Sequence, residues 1–201
     1  MEKELTDMSL EALWTLFPIF LVEHDDRWED AYNEMEAEIK EILRAYCVDR
    51  ISHIGSTAVR GIWAKNIIDV LIEIPQCTDM EEIARALEQR GFLRMSASPT
   101  RISLNKGYTK NGFAPKVYHI HIRYTGDNDE LYFRDYLIGH PEVAKEYEQL
   151  KLKLWKEYEH DRDAYTAAKT TFIRKHTKAA IKEFAGKYRC AKPSTIAYRL
   201  K

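Results

Sequence analysis

Two neighbouring segments of the chain carry residue types suited to phosphate and metal chemistry. Residues 53–57 run from an apolar stretch into a Gly55-Ser56 turn, and Asp69 then stands alone inside the apolar run 67–72. Such a turn exposes backbone N–H groups that bind phosphate oxygens, and an acid on an adjacent strand can hold a cation beside them. A carboxylate among Ile and Val is costly to bury without a partner. Asp69 is therefore predicted to face a partner, a metal ion or an open cleft.

Two histidines on a later strand could complete a metal site with Asp69. Residues 117–124 alternate, with His119 and His121 on one strand face and Tyr118, Ile120 and Ile122 on the other. Two imidazoles beside a carboxylate form a donor set for zinc, manganese or iron in place of magnesium. The alternative interpretation is a polar sheet face that hydrogen-bonds to loop carbonyls, and both interpretations stay open.

Four further residues are candidates for supporting such a site. Lys65 and Arg101 could neutralise or grip phosphate oxygens, although Lys65 also fits a solvated surface and Arg101 also fits an ion pair with an acid. His53 could orient Asp69 or a phosphate, or simply pack. Arg134 is expected mainly to pair with the adjacent Asp135 and dock the C-terminal helices on the sheet, with contact to the cleft as the alternative.

The C-terminal part of the chain carries aromatic and basic residues at helical spacing. The aromatic residues are predicted to belong to the core, and the lysines between them to form a solvated face. The aromatic residues are Tyr147, Trp155, Tyr158, Tyr165 and Phe172, and the lysines are Lys151, Lys153 and Lys156.

Composition excludes several classes of protein. The 201 residues are 45% hydrophobic and carry 31 basic against 32 acidic side chains, which is typical of a globular protein and not of one that coats nucleic acid or anionic membrane. The longest apolar run, 13–22, is too short for the roughly 18 residues of a membrane span. Cys47, Cys77 and Cys190 are odd in number and far apart, so no disulfide framework or zinc knuckle is indicated. A cytoplasmic location is expected.

The elements that must position these side chains alternate up to about residue 125. We predict a helix between Ser9 and Pro18, a short strand at 19–22, and a helix that a capping box of Asp26 and Glu29 begins. The remaining predicted strands are 50–54, 67–74, 101–105 and 117–124, with a helix at 81–90 and a loop at 106–112.

The part of the chain that follows is predicted to be helical only. The predicted fold class is therefore α/β (α+β), a mixed β-sheet flanked by helices with a C-terminal helical bundle packed on it. The boundaries are a sheet domain at 1–128, a helical segment at 129–190 that forms one compact unit with it, and a tail at 191–201.

Residues 53–69 closely resemble the signature segment of the GrpB-like family, which is placed in the nucleotidyltransferase superfamily. The resemblance continues at 118–122, 133–137 and 140–142, and it reaches single positions further on: Tyr147, Leu150, Lys151, Tyr165 and Lys169. The resemblance implies a nucleotidyltransferase-like sheet, in which Gly55, Ser56 and Thr57 hold nucleotide phosphates and Asp69 binds magnesium as the catalytic acid.

The chain departs from these patterns at three positions. Active nucleotidyltransferases generally carry a second acid two residues after the first, where both face one side of the strand, and here that position is Leu71. Glu73 lies on the same face but roughly 13 Å from Asp69 along the strand, so it cannot substitute. Arg60 and Asn66 stand where the family usually has proline, which changes the stiffness of the connection.

These observations predict binding of a nucleotide or another phosphorylated small molecule, with a divalent cation on Asp69. Magnesium is the preferred cation, with manganese or zinc as alternatives. Nucleotidyl transfer is left open because of Leu71. Two other functions stay open, a non-catalytic binding or interaction module on the same fold and a metal-dependent hydrolase that uses Asp69, His119 and His121. Neither a membrane nor a nucleic acid is expected as a partner, and the oligomeric state is not predicted.

Overall fold

The structure of the protein is a computed structural model that describes residues 7–188. Cys190 and the predicted tail 191–201 lie outside the described residues. The helices are α1 (Leu10–Leu16), α2 (Arg27–Ile42), α3 (Met80–Glu88), α4 (Asp129–Gly139), α5 (Pro141–Glu157) and α6 (Arg162–Glu183). The strands are β1 (Arg50–Ile54), β2 (Ile68–Ile74), β3 (Leu93–Ser98), β4 (Arg101–Thr109) and β5 (Gly112–Tyr124).

The five strands form one mixed sheet in the order β1-β2-β5-β4-β3. Strands β2 and β5 pair in parallel, and the other neighbours are antiparallel. The predicted fold class, a mixed sheet flanked by helices with C-terminal helices packed together, is confirmed. Strand β3 was not predicted, because it lies at the sheet edge with most of its side chains exposed and so lacks an apolar alternation.

The two faces of the sheet differ in character. Every second residue of the central strands packs into one apolar core with α2 and α3, as Val70 and Ile120 do. The intervening residues of β2 and β5 face the other side, where Asp69 pairs in register with His119 and Glu73 with Arg123. The predicted alternation along β5 is therefore confirmed, and it concentrates the polar chemistry of the sheet on one face.

Helices α4, α5 and α6 pack against one another beside this polar face. They hold the connection that follows β1, because Val59 and Ile62 are buried in a cluster with Tyr147 and other residues of α4 and α5. Arg134 of α4 pairs with Asp135 and donates to the carbonyl of His53 at 2.7 Å. Arg134 thus links α4 to β1.

Three local predictions need correction. Residues 19–22 form no strand, only a single bridge between Val22 and Ala64. Asp26 makes no side-chain cap, since the neighbouring Asp25 accepts the Arg27 N–H instead. The predicted loop 106–112 is largely strand, because β4 and β5 continue to a tight turn and a bulge absorbs the irregularity.

Within residues 7–188, no helix is long and apolar enough to cross a bilayer.

Candidate functional site

The turn after β1 is built directly against the acid of β2. Ile54 pairs in register with Asp69, and Gly55 follows with φ +73°, a conformation that side chains other than glycine rarely adopt. A Cβ atom at Gly55 would lie 2.4 Å from Oδ2 of Asp69. Glycine is therefore required both by the backbone and by the carboxylate beside it. Ser56–Ala58 then form one turn of 3-10 helix.

Asp69 meets the two predicted histidines on the polar face. Its Oδ1 lies 3.2 Å from Nδ1 of His119 and 3.5 Å from Nε2 of His121. Burial raises the pKa of Asp69, but the hydrogen bonds from both histidines outweigh burial and hold that pKa below its ordinary range. Burial is also the main influence on His119, and it lowers the pKa of that ring. The carboxylate is thus charged and faces a neutral imidazole at pH 7.

The outer nitrogen of each histidine faces a hydroxyl oxygen. Nε2 of His119 lies 2.7 Å from the Tyr108 hydroxyl, which also accepts from Arg162 at 3.1 Å. Nδ1 of His121 lies 3.4 Å from the Ser103 hydroxyl. Histidines that bind a metal usually donate their other N–H to an oxygen, which fixes the ring orientation. Tyr108, Ser103 and Arg162 were not predicted, because the pairing of β4 with β5 brings Tyr108 and Ser103 near and α6 contributes Arg162.

The three residues Asp69, His119 and His121 could hold a metal ion, since one donor atom from each lies within 4.8 Å of the others. Donors bound at about 2.1 Å to one ion lie roughly 3.0–3.5 Å apart, which matches both separations from Asp69. Two imidazoles and one carboxylate suit manganese, iron or zinc better than magnesium, which prefers oxygen ligands.

Glu73 does not take part in this site. Its side chain is completely buried, and its Oε1 accepts from Asn128 at 2.9 Å and from the Gly126 N–H at 3.2 Å. Arg50 lies 3.2 Å from the other oxygen, as an ion pair without hydrogen-bond geometry. Leu71, where a second acid would stand, is fully buried among apolar side chains.

A cavity of about 190 Å³ opens beside Asp69, and three lysines converge on it. Lys65 follows the turn, Lys151 comes from α5 and Lys169 from α6. With one carboxylate among its lining residues, the cavity carries an excess of positive charge. The lining residues are Gly55, Ser56, Thr57, Lys65, Ile67, Asp69, His119, Tyr147, Lys151, Tyr165 and Lys169.

Desolvation in this cavity makes the lysines unusually easy to deprotonate. It lowers the pKa of Lys65 to about 8 and the pKa values of Lys151 and Lys169 to about 7 each. Mutual repulsion adds to the effect, because Lys65 lowers the pKa of both other lysines. Asp69 opposes the shift at Lys65 and Lys169 without cancelling it. An anion in the cavity would favour the charged form of all three.

Among the residues that the C-terminal helices contribute, the sequence misassigned Lys151, while the core positions of Tyr147 and Tyr165 are confirmed. Lys151 is 2% exposed and donates to the Trp63 carbonyl, so it does not belong to a solvated face. Tyr147 and Tyr165 are core residues that also line the cavity. A signal was present, since Tyr147-x-x-x-Lys151 and Tyr165-x-x-x-Lys169 repeat one spacing and place each lysine over its tyrosine ring at 5.0 and 4.2 Å.

Several predicted site residues lie outside this cavity. Arg101 is exposed and pairs with Asp127, near the end of β4 remote from His119. His53 stacks on Tyr32 and contacts Thr57 Oγ1 at 3.0 Å, and burial lowers its pKa to about 4. Thr57 itself lines the cavity and donates to the Ile67 carbonyl. His53 can thus influence the turn through Thr57. Arg101 lies too far along the sheet from the cavity to contact a ligand there.

The chain is similar to known proteins. The profile of the GrpB protein family matches residues 18–179 of the chain. Glutamate-rich protein GrpB of Alkalihalophilus pseudofirmus is 32% identical over 164 residues, which cover 77% of this chain and 91% of that protein. A UPF0157 protein of Pseudomonas aeruginosa is 36% identical over 126 residues, but this stretch covers 61% of the chain and only 52% of that relative.

A solved structure shares the architecture. The crystal structure of conserved protein GrpB from Enterococcus faecalis is 28% identical and has a TM-score of 0.70, covering 82% of this chain and 99% of that one. The matched ranges include the turn, Asp69, both histidines and all three lysines. The chain therefore belongs to the GrpB family.

Proposed function

We propose that the protein binds a phosphorylated small molecule, with nucleotides as the preferred class, in the cavity between the Gly55-Ser56 turn and helices α5 and α6. Ser56 and the nearby backbone N–H groups would contact phosphate oxygens, and Lys65, Lys151 and Lys169 would neutralise their charge. Asp69, His119 and His121 would hold a divalent cation beside the phosphate, with manganese preferred over magnesium for this donor set.

The convergence of three lysines on one small cavity carries the proposal. Lysines are among the residues that are least often buried, and like charges held close together destabilise a fold. Here the chain places Lys151 and Lys169 from two helices and Lys65 from a loop around one space. Asp69 supplies the one carboxylate that lines this space, and Glu148 acts on Lys151 from outside the lining. A polyanionic ligand would remove the repulsion among the lysines. A divalent cation would bridge that ligand and Asp69.

Calorimetric titration tests the proposal. ATP, GTP, CTP and inorganic tripolyphosphate are titrated into the protein with and without Mn²⁺ or Mg²⁺. We expect binding of at least one of these polyphosphates, and tighter binding with Mn²⁺ than without a cation. Absence of binding by all four in every condition would overturn the proposal. Transfer is then followed separately with label on the α-phosphate, and capture without release of pyrophosphate would identify a binding module and not a transferase.

A second function, metal-dependent hydrolysis of a phosphate ester, is favoured by the hydroxyl oxygens behind both histidines. Tyr108 and Ser103 face the outer nitrogens of His119 and His121, as expected around a metal site that uses imidazole donors. A bound cation would supply Lewis-acid activation of a water or a phosphoryl oxygen. Elemental analysis should find stoichiometric manganese, iron or zinc, and release of inorganic phosphate should depend on that metal. A protein that binds none of these ions would exclude this function.

A further inference from the structure

A second, mostly apolar cavity lies against the lysine cavity. It has a volume of about 230 Å³, and Lys65 and Ile67 line both spaces. We call it the apolar chamber, and its lining residues are Pro18, Ile19, Phe20, Lys65, Asn66, Ile67, Phe113, Ala114, Pro115, Val117 and Arg162. Because both cavities share Lys65 and Ile67 as lining residues, the apolar chamber and the lysine cavity adjoin each other.

The chamber walls are held by contacts that do not involve a ligand. The Ile19 N–H donates to the Glu159 carbonyl at 2.9 Å, which fixes the segment after α1 against the loop before α6. Phe113 packs against Phe17 at 5.1 Å and against Phe20 at 6.4 Å between ring centroids. The chamber is thus preformed, as binding sites for small molecules usually are.

The polar edge of the chamber consists of hydrogen-bond donors. The Asn66 side-chain oxygen already accepts from Trp28 at 2.7 Å, which leaves the amide N–H groups for other partners. Arg162 uses one N–H on the Tyr108 hydroxyl, and a guanidinium carries five. Lys65 completes the edge on the side of the lysine cavity. A group that fits this edge carries acceptors, such as ring nitrogens or carbonyl oxygens.

Size also points to one ligand that occupies both spaces. Each cavity alone is smaller than the roughly 300–1,000 Å³ of a typical small-molecule site, whereas the two together fall within that range. Aromatic walls favour flat rings, because offset and edge contacts with Phe side chains stabilise them beyond simple area burial. Phe20 is 40% exposed, so a large part of its aromatic surface is not packed in the core.

From these observations we infer that the apolar chamber binds a flat heteroaromatic ring whose edge carries hydrogen-bond acceptors, joined to the phosphate in the lysine cavity. This inference rests on the proposed function, and it narrows the ligand class to nucleotides. Sugar phosphates without a base and inorganic polyphosphates would fill only the lysine cavity.

The test compares nucleoside triphosphates with inorganic tripolyphosphate, which shares their anionic part but lacks the ring. ATP, GTP, CTP, UTP and tripolyphosphate are titrated into the wild-type protein, Phe20→Ala and Phe20→Trp. We expect at least one nucleotide to bind about tenfold more tightly than tripolyphosphate, a gain typical of stacking one base on an aromatic residue. Phe20→Ala should remove most of that gain and leave tripolyphosphate binding unchanged, and Phe20→Trp should retain it.

The outcomes distinguish a failure of the chamber from a failure of the proposed phosphate site. If tripolyphosphate binds as tightly as all four nucleotides, or if Phe20→Ala weakens both kinds of ligand equally, the chamber has no role and the proposed phosphate site stands. If neither tripolyphosphate nor any nucleotide binds, the proposed function itself fails. Met95→Ala serves as the control, because Met95 is 58% exposed on β3, away from both cavities, and its removal should change neither affinity.

Discussion

Two acids on the same face of β2, Asp69 and Glu73, have opposite surroundings. Glu73 is completely buried, with Asn128 and the Gly126 N–H donating to one carboxylate oxygen and Arg50 forming an ion pair with the other. The Asp69 side chain is 27% exposed and faces two histidines and a cavity that three lysines line. The same residue class on one strand face thus has two different environments.

The difference predicts separate roles for the two acids, a structural role for Glu73 and a binding role for Asp69. A carboxylate that is buried and enclosed by permanent partners has no room left for a ligand, and its removal leaves buried donors unpaired. The partners of Asp69 are themselves titratable and lie beside open space. We therefore expect changes near Asp69 to alter binding, and changes near Glu73 to alter the free energy of unfolding.

The largest effect is expected from Gly55→Ala. The new Cβ atom would meet Oδ2 of Asp69 at 2.4 Å, so the carboxylate or the turn must move. Binding of Mn²⁺ and nucleotide should fall below detection in calorimetric titration. Gly61→Ala is the matched control, because Gly61 also has a positive φ (+76°) but nothing within 4 Å of a Cβ atom. Equal loss of binding in both variants would mean that backbone strain, and not the contact with Asp69, is responsible.

The isosteric pair Asp69→Asn and Glu73→Gln tests the comparison directly. Asp69→Asn should weaken metal-dependent binding roughly 100-fold or more, and it should also cost some stability, because the hydrogen bonds that hold the pKa of Asp69 below its ordinary range are weakened. Glu73→Gln should keep the affinity and lose about 2 kcal/mol of stability, because its ion pair with Arg50 is broken. Chemical denaturation and calorimetry measure both quantities. If Asp69→Asn keeps the affinity and Glu73→Gln loses it, the assignment of roles is refuted.

A smaller effect is expected from Tyr108→Phe, which removes the hydroxyl beside Nε2 of His119. Loss of such an outer partner should weaken Mn²⁺ binding about tenfold, because the ring orientation and tautomer are no longer fixed. Competition with a chelator of known affinity measures the change. If His119 only belongs to a polar sheet face, Mn²⁺ affinity will be the same in the variant as in the wild type.

The smallest effect concerns stability without ligand. The folded state lowers the pKa of Lys169 from 10.5 to about 7, so the unfolded chain binds more protons between these values. The resulting destabilisation is fully present below pH 7 and disappears as pH rises toward 10.5. Lys169→Met should therefore raise Tm by about 3 °C at pH 6 and by less at pH 9. Lys153→Met, at an exposed position of α5, should show no such trend. If the Tm difference between Lys169→Met and the wild type does not change with pH, the account is contradicted.

The sequence was informative where local periodicity decides the structure. Alternation along β5 is enough to place His119 and His121 on one face, and the Gly55-Ser56 turn marks the end of β1. The contribution of Lys151 and Lys169 depends on how α5 and α6 dock over that turn, which local spacing does not encode. Arg101 was misleading for a similar reason, since its distance from His119 depends on the register between β4 and β5.

Titration of tripolyphosphate into the wild-type protein, Lys169→Met and Lys153→Met tests the central claim most directly. The two lysines differ in position, one in the cavity and one exposed on α5, and each substitution removes one amino group. The account predicts that the wild type and Lys153→Met bind with equal affinity, and that Lys169→Met binds at least about tenfold more weakly. Equal affinity in all three proteins, or no binding by the wild type, would contradict it.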